Sequence, residues 1–80
     1  MDIATTFGKV LRQLRRAAGL TQEQLGFEAG LERNYISMLE LGQRHPSLAT
    51  VFKLSPPLNT PPSQIIALIE VAITVQETEK

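Results

Sequence analysis

Apolar residues recur along this 80-residue chain at the spacing of amphipathic α-helices, with polar and glycine-containing breaks between them. From residue 3 to residue 18 they fall at i, i+3, i+4 and i+7, which places them on one face of a helix. This stripe consists of Phe7, Val10, Leu11 and Leu14. The pattern therefore predicts a first helix over residues 3–18, ended by Gly19.

Two short helices with start and stop signals follow the first one. Thr21 is spaced as an N-cap with Gln24 as its capping-box partner, and Gly30 stands where a helix can end in the left-handed conformation. Glu32 is then expected to cap a second helix, which Gly42 ends. Helices this short are marginal in isolation, so their apolar residues must pack on each other and on neighbouring helices. The pattern predicts two helices that cross at a tight turn.

Two further helices are expected in the C-terminal half. The fourth should stop near Ser55, because a proline disfavours helix in the residue before it and Pro56 is followed by a second proline. Thr60 or a neighbour should cap the last helix, over about residues 62–76, with proline in its first turn. The prediction is an all-α protein of five helices that forms a single domain over residues 1–80.

The last helix is apolar on more than one face, which is more than a single core requires. One face, which includes Ile65, can cover the core, and Ile69 can belong to either face. An exposed apolar patch marks an interaction surface, and the helix lacks the basic polar face that membrane-surface binding would require. We therefore expect a homodimer through this helix. The expected interface residues are Ile66, Ile69, Ile73 and Val75.

Composition narrows the class of protein further. The chain has no cysteine, and no cysteine or carboxylate stands at ligand spacing from its one histidine, so no metal, cofactor or catalytic site is expected. A glycine-rich phosphate loop is also missing, and no small-molecule ligand is evident, which makes an enzyme the weakest option. No apolar run approaches the roughly 20 residues that span a bilayer. The N-terminus has no signal pattern, so we expect a cytoplasmic protein.

The charge distribution is uneven, although eight basic and eight acidic residues give a net charge of zero. Residues 9–45 carry six cations and four anions, a net charge of +2, whereas residues 46–80 carry two cations and three anions, a net charge of −1. The remaining acidic residue is Asp2, whose charge of −1 brings the net charge of the chain to zero. A net charge of zero is unfavourable for a nucleic-acid ligand, because phosphate neutralisation supplies the non-specific affinity. The excess of cations in residues 9–45 instead favours a nucleic-acid ligand.

Residues 19–42 closely resemble the helix-turn-helix of the phage repressor and Cro family, also called the XRE family. Flanking helices match in the same order, so the resemblance covers roughly residues 7–69. It implies a repressor-like DNA-binding domain in which helices 2 and 3 form the motif. The helix at residues 32–41 would then read double-stranded DNA in the major groove. The matching residues are Thr21, Gln22, Leu25, Gly26, Ala29, Gly30, Leu31, Ile36, Leu39, Glu40 and Gly42.

The resemblance implies base contacts from the exposed side of this recognition helix, at Arg33, Asn34 and Met38. Arg33 can form a fork onto guanine O6 and N7, and Asn34 can bridge adenine N6 and N7. Ser37 offers a hydroxyl that can donate or accept, and Met38 can contact a thymine methyl group. The alternative for these four residues is an ordinary polar helix face.

Phosphate contacts are expected around the same helix. In the family, the counterpart of Gln22 grips a DNA phosphate at a helix N-terminus, where free backbone N–H groups also point. The loop that contains Arg44 would lie along the DNA backbone. Tyr35 has two possible roles, because its hydroxyl can touch a phosphate or its ring can cover the core edge. The expected phosphate contacts are Thr21, Gln22, Tyr35, Gln43 and Arg44.

The resemblance also implies a structural ion pair between Arg15 and Glu40, which would tie the recognition helix to the first helix. Two recognition helices about 34 Å apart in a homodimer would read a palindromic operator. We therefore predict a dimeric, sequence-specific transcriptional regulator without a cofactor. The alternative is a helical protein–protein interaction module that keeps the fold without binding DNA. Zero net charge favours this alternative, as does Glu32, where the family usually has serine or threonine.

Overall fold

The structure, a computed structural model, describes residues 2–78 and contains five α-helices and no strand within that range. The five-helix, all-α prediction is therefore confirmed. The chain runs through α1 (Ile3–Ala17), α2 (Gln22–Ala29), α3 (Arg33–Glu40), α4 (Leu48–Leu58) and α5 (Pro62–Thr78).

One hydrophobic core receives side chains from all five helices. α1 packs on α3 and α5, α2 packs on α3 and α4, and α4 packs on α5. The first helix contributes the predicted stripe, with Leu14 only partly buried at its end. Because both short helices depend on this core, burial rather than intrinsic helix propensity holds them in place. The buried core residues are Phe7, Val10, Leu11, Leu25, Ala29, Ile36, Leu39, Val51, Leu54, Leu58, Ile65 and Ile69.

Two glycines let backbone segments approach α3 more closely than any side chain would permit. A Cβ atom on Gly8 of α1 would stand 2.5 Å from the carbonyl oxygens of Leu39 and Glu40. A Cβ atom on Gly26 of α2 would stand 2.6 Å from the carbonyl oxygen of Leu31, in the turn before α3. These distances lie well inside van der Waals contact, so α3 is fixed by backbone contacts at both of its ends.

The start signal of α2 and the stop signals of both short helices operate as predicted, whereas the predicted cap of α3 does not. The Gln24 N–H donates to Thr21 Oγ1 at 3.0 Å, and the Thr21 N–H donates to Gln24 Oε1 at 2.8 Å, which completes the capping box. Gly30 and Gly42 have φ values of 71° and 75°, the left-handed conformation that glycine adopts without steric cost. Glu32 occupies the N-cap position of α3, but its side chain makes no capping hydrogen bond.

Replacement of Thr21 by alanine is expected to lower the free energy of unfolding by about 1 kcal/mol, because the Gln24 N–H loses its acceptor. Urea denaturation followed by circular dichroism measures this loss. Thr21→Ser keeps the hydroxyl and should retain most of the stability. An equal loss in both variants would show that the hydroxyl does not cap α2.

The prediction that the fourth helix stops near Ser55 is wrong, because α4 continues through Pro56 and Pro57 to Leu58. Each proline lacks the N–H group that would donate to a carbonyl one turn earlier. Burial compensates for this loss, since Leu58 is only 4% exposed and reaches the core from the extra turn. At that turn the Ser55 hydroxyl donates to the Thr60 carbonyl at 2.6 Å, and the Thr60 N–H donates to the Ser55 carbonyl at 3.2 Å.

The last helix begins at Pro62, as the proline pattern predicted, but Thr60 does not cap it. The Thr60 hydroxyl donates to the Leu58 carbonyl at 2.9 Å, so it closes the preceding turn instead. The carbonyl of Pro61 accepts the first bonds of α5, from the N–H groups of Gln64 and Ile65. The Thr60 side chain therefore faces back toward α4, where it donates to the carbonyl of the last residue of that helix.

None of the described helices is by itself long and apolar enough to cross a membrane. α4 and α5 reach that length and composition only when they are taken together, and they meet at an angle of 104°.

Candidate nucleic-acid interface

The recognition helix α3 has one fully buried face and one face open to solvent. Ile36 and Leu39 are both 0% exposed, and they hold the helix on the core. Arg33 and Asn34 are exposed on the other side, whereas Ser37 and Met38 are half-buried. In the described part of the chain, the polar side chains of Arg33, Asn34 and Ser37 have no hydrogen-bond or ion-pair partner. These donors and acceptors are therefore available to a ligand outside the molecule.

Three of the four predicted base contacts line two separate recesses, and Ser37 lines neither. Arg33 lines a cleft of about 570 Å³ between the end of α1, the start of α2 and the side of α3. We call this the polar cleft; Arg15, Arg16, Gly19, Leu20, Thr21, Gln22 and Glu23 also line it. Asn34 and Met38 instead line a separate recess beside the turn between α2 and α3, together with Glu32 and Tyr35. Base-reading and phosphate-binding candidates therefore meet in both recesses, with Arg33 and Gln22 in the polar cleft and Asn34 and Tyr35 in the second recess.

Arg16 is a candidate that the sequence analysis missed. It is exposed at the end of α1, and the fold brings it into the polar cleft with Arg33 and Gln22. The helix dipole favours a basic residue in the last turn of a helix whether or not it binds a ligand. The position of Arg16 in the sequence therefore gave no reason to assign it a DNA contact.

The phosphate-contact candidates differ in how free their side chains are. Thr21 uses its hydroxyl in the capping box, and Gln22 donates from Nε2 to Glu40 Oε1 at 3.1 Å. Gln43 and Arg44 are exposed in the loop between α3 and α4. Phosphate-contact candidates thus come from two segments beside α3, the start of α2 and the loop that follows α3. Gln22 of the first segment bonds to Glu40, the last residue of α3.

Tyr35 covers the edge of the core in this structure. Its ring is half-buried against the core, and its hydroxyl lies 3.4 Å from Thr50 Oγ1 in α4. Thr50 is in turn 2.9 Å from the hydroxyl of Ser47, the N-cap of α4. The Tyr35 ring therefore covers the core edge, which is one of the two roles considered for this residue. Its hydroxyl lies at the end of a series of three hydroxyl groups, from Tyr35, Thr50 and Ser47.

Arg15 and Glu40 form a nearly buried ion pair behind the interface. Arg15 Nε donates to Glu40 Oε2 at 2.6 Å, and Arg15 Nη2 donates to Glu40 Oε1 at 3.1 Å. The side chains are 11% and 4% exposed, respectively. The hydrogen bond to Glu40 raises the pKa of the Arg15 guanidinium above its usual range, although burial acts in the opposite direction. Arg15 Nη1 also donates to the Leu20 carbonyl at 2.9 Å, so the pair links α1, α3 and the loop before α2.

An apolar groove of about 700 Å³ adjoins this interface, beyond the loop that follows α3. Its lining comes from the start of α1, the start of α4 and one side of α5. Polar side chains at its edge include His45 and Glu70. Within residues 2–78, no group of three or more potential metal ligands occurs here or elsewhere. The apolar lining consists of Ile3, Phe7, Pro46, Leu48, Val51, Ile66, Ile69 and Ile73.

The four expected interface residues differ in their exposure and in whether they line this groove. Ile66 is 49% exposed at its surface, and Ile73 is partly buried against the core. Ile69 is only 8% exposed, so it belongs to the core and forms the floor of the groove. Its assignment as an interface residue needs this correction, because its face of α5 packs on α1 and α4. Val75 is 48% exposed but lies outside the groove lining.

Comparison with known proteins agrees with this architecture. The helix-turn-helix family model matches residues 11–65, which include α2, α3 and α4 in full. The chain belongs to the helix-turn-helix family. Within this family it is an XRE-type transcriptional regulator, and its relatives are regulators rather than enzymes.

Similar helix-turn-helix proteins match over most of their length. The control protein C.BamHI of Bacillus amyloliquefaciens is 38% identical over 66 residues, which cover 81% of this chain and 82% of that protein. The HTH-type transcriptional regulator y4dJ of Sinorhizobium fredii is 38% identical over 55 residues, covering 69% and 71%, respectively. The crystal structure of the restriction-modification controller protein C.AhdI from Aeromonas hydrophila has a TM-score of 0.74 and 44% identity, covering 78% of this chain and 94% of that one.

Proposed function

We propose that this protein is a dimeric, sequence-specific DNA-binding regulator that inserts α3 into the major groove of a palindromic operator. The observation that carries the proposal is the open face of α3, whose polar side chains have no partner within residues 2–78. A helix fixed by a fully buried opposite face presents these side chains in one orientation. The likeness to control protein C.BamHI and to the restriction-modification controller protein C.AhdI supports the more specific proposal of a controller of restriction-modification genes.

Base recognition in this proposal comes from four side chains of α3. Arg33 pairs with guanine through O6 and N7, and Asn34 pairs with adenine through N6 and N7. Ser37 adds a hydroxyl, and Met38 contacts a thymine methyl group. Arg33 lines the polar cleft at the start of α2 and Asn34 lines the recess at the turn after α2, so the two side chains approach the DNA from different recesses.

Phosphate contacts then fix the register of α3 on the duplex. Thr21 and Gln22 offer the N-terminal backbone of α2, and we add Arg16 because it lines the same cleft. The loop after α3 contributes Gln43 and Arg44. The Tyr35 hydroxyl completes the proposed set. Contacts of this kind set affinity and orientation, while base contacts set specificity.

Arg33→Ala is expected to relax base preference at one operator position, at a cost of about 1–3 kcal/mol for the preferred base pair. Selection of bound sequences from a random DNA pool, followed by affinity measurements on matched and mismatched duplexes, tests this result. Arg12→Ala is the control, because Arg12 is an exposed arginine of α1 that does not line the polar cleft. An equal loss on all sequences for Arg33→Ala would contradict base readout by this residue.

The apolar groove supports the dimer in this proposal. Its centre is apolar and its edge is polar, which is the usual anatomy of a protein–protein interface. The loop that contains His45 borders both the groove and the C-terminal end of α3. In the proposed dimer, a second copy is seated in the groove, and both recognition helices face one side of the DNA. Reading successive major grooves requires that they lie about 34 Å apart.

The alternative function is a helical protein-interaction module that does not bind DNA. Zero net charge and the exposed, unpaired carboxylate of Glu32 beside Arg33 favour it. Gel shifts at several salt concentrations, on DNA from upstream of its own gene, separate the two functions. Binding that weakens steeply with salt supports the regulator, because counterion release accompanies phosphate contacts. An unshifted duplex at low salt would favour the interaction module.

A further inference from the structure

We infer that Glu40 is a positioning residue for DNA binding, because its buried carboxylate holds the Gln22 amide in the orientation that meets a DNA phosphate. This inference rests on the proposed function and goes beyond a structural role for the Arg15–Glu40 pair. Glu40 does not touch DNA in this arrangement. It acts through a neighbouring side chain.

A single carboxylate joins the three elements around the polar cleft. Glu40 Oε2 accepts from Arg15 Nε at 2.6 Å, and Glu40 Oε1 accepts from both Arg15 Nη2 and Gln22 Nε2 at 3.1 Å. Gln22 is the first residue of α2, and Arg15 also holds the Leu20 carbonyl just before that helix. The N-terminal turn of α2 is therefore tied to the C-terminal end of α3 by the same group that ties α3 to α1.

The chemistry of the two groups determines which way the Gln22 amide points. An ionised carboxylate only accepts hydrogen bonds, so the NH₂ side of the amide must face Glu40 and its carbonyl oxygen must face away. An amide nitrogen carries two hydrogens, and only one is used on Glu40. Because Gln22 also lines the polar cleft with Arg16 and Arg33, the second N–H remains available there.

This hydrogen bond removes the conformational-entropy cost that an unanchored glutamine side chain would incur when it binds a phosphate. Gln13 and Gln43 are exposed and have no side-chain partner in the described structure, so each must be immobilised when it meets a ligand. Gln22 is half-buried and is already held before DNA arrives. Ordering a flexible side chain at an interface lowers affinity several-fold, so the anchored amide should bind a phosphate more tightly than an unanchored one. The Glu40 charge does not oppose the phosphate strongly, because Arg15 neutralises it.

The test compares the effect of Gln22→Met in two backgrounds. The first background is the wild-type chain, and the second carries Arg15→Met and Glu40→Met together. Replacing both partners of a buried ion pair by apolar side chains is often close to neutral for stability, so the second background removes the anchor without stranding a charge. Affinity for one operator duplex is measured for all four proteins, and circular dichroism checks folding. Gln13→Met is the matched control and should leave the affinity unchanged in both backgrounds.

We expect Gln22→Met to lower operator affinity about tenfold in the wild-type chain, but no more than about threefold in the background without the pair. Equal losses in both backgrounds would overturn the inference, because Gln22 would then reach the phosphate without Glu40. An unchanged affinity for Gln22→Met in a chain that still binds its operator would also overturn it, and the proposed function would survive. If the wild-type chain binds no DNA, the proposed function itself fails.

Nuclear magnetic resonance supplies a second measurement on the wild-type chain, in case the paired methionine variant does not fold. The side-chain amide of Gln22 should be ordered without DNA, unlike that of Gln13, and its signals should shift when operator DNA is added. A Gln22 amide as mobile as that of Gln13 would overturn the inference, as would an ordered amide that DNA leaves unchanged.

Discussion

Ile66→Asp is expected to convert the protein to a monomer and to lower its affinity for a two-half-site operator by about 10²–10⁴-fold. Ile66 is 49% exposed in the apolar groove, where a partner subunit would cover it. An unpaired carboxylate buried in an apolar contact is costly, so the dimer should dissociate. The monomer then binds each half-site separately, and the advantage of two linked recognition helices is lost. Sedimentation equilibrium and gel shifts on full and half operators measure the two effects.

Val71→Asp is the matched control for this substitution. Val71 is a β-branched residue of the same helix that is 60% exposed but does not line the apolar groove. It should leave both the oligomeric state and the operator affinity unchanged. A dimeric Ile66→Asp protein, or a monomeric Val71→Asp protein, would contradict the groove as the dimer interface.

Glu40→Ala is expected to lower the free energy of unfolding by about 3–5 kcal/mol, because it leaves Arg15 nearly buried without its counter-charge. The Arg15 side chain is only 11% exposed, so water can replace the lost carboxylate only in part. This loss is a large fraction of the stability of about 5–15 kcal/mol that is typical of a folded protein. Urea denaturation of both proteins, followed by circular dichroism, measures the difference.

The double variant Arg15→Met and Glu40→Met serves as the reference for this prediction. Because it removes both charges, its stability should be much closer to that of the wild type than the stability of Glu40→Ala. If the double variant is as unstable as the single one, the loss comes from packing around α3 and not from the stranded arginine.

The expected effects of Ile66→Asp and Glu40→Ala both arise close to the C-terminal end of α3. The α1 backbone at Gly8 lies against the last carbonyl groups of α3, and the Arg15–Glu40 pair grips the same end of that helix. The groove that contains Ile66 begins at the loop just beyond it. A change at Gly8 or in the Arg15–Glu40 pair is therefore expected to displace the recognition helix, whereas a change at Ile66 acts on the proposed dimer contact.

Much of the fold was predictable from the sequence because its signals act within one or two helical turns. The capping box of Thr21 and Gln24 and the left-handed glycines after α2 and α3 involve neighbours in the chain, and the structure confirms them. The proline rule was also local, and it failed at Pro56 because burial of Leu58 outweighed the lost hydrogen bonds. A local rule cannot weigh a contact with a distant helix.

The candidate site also combines features that were predictable from the sequence with features that depend on contacts between distant helices. The residue types on α3 were compatible with DNA contact or with an ordinary polar helix face, and the family resemblance selected Arg33, Asn34 and Met38 as base contacts. Neither could indicate that Gln22 donates to Glu40, eighteen positions away, or that Arg16 joins the same cleft. These relations depend on the angle at which α1, α2 and α3 cross.

By itself, the sequence determined the five helices, the capping box of α2, the left-handed glycines after α2 and α3, and the open face of the recognition helix. Hydrogen bonds and side-chain periodicity within a segment govern these features. Only the tertiary structure decided that Ile69 lies in the core while Ile66 borders a groove, that Tyr35 covers the core edge, and that one buried carboxylate joins three helices. The physical reason is that each of these outcomes depends on which helix faces meet, and many residues distant in the chain set that geometry together.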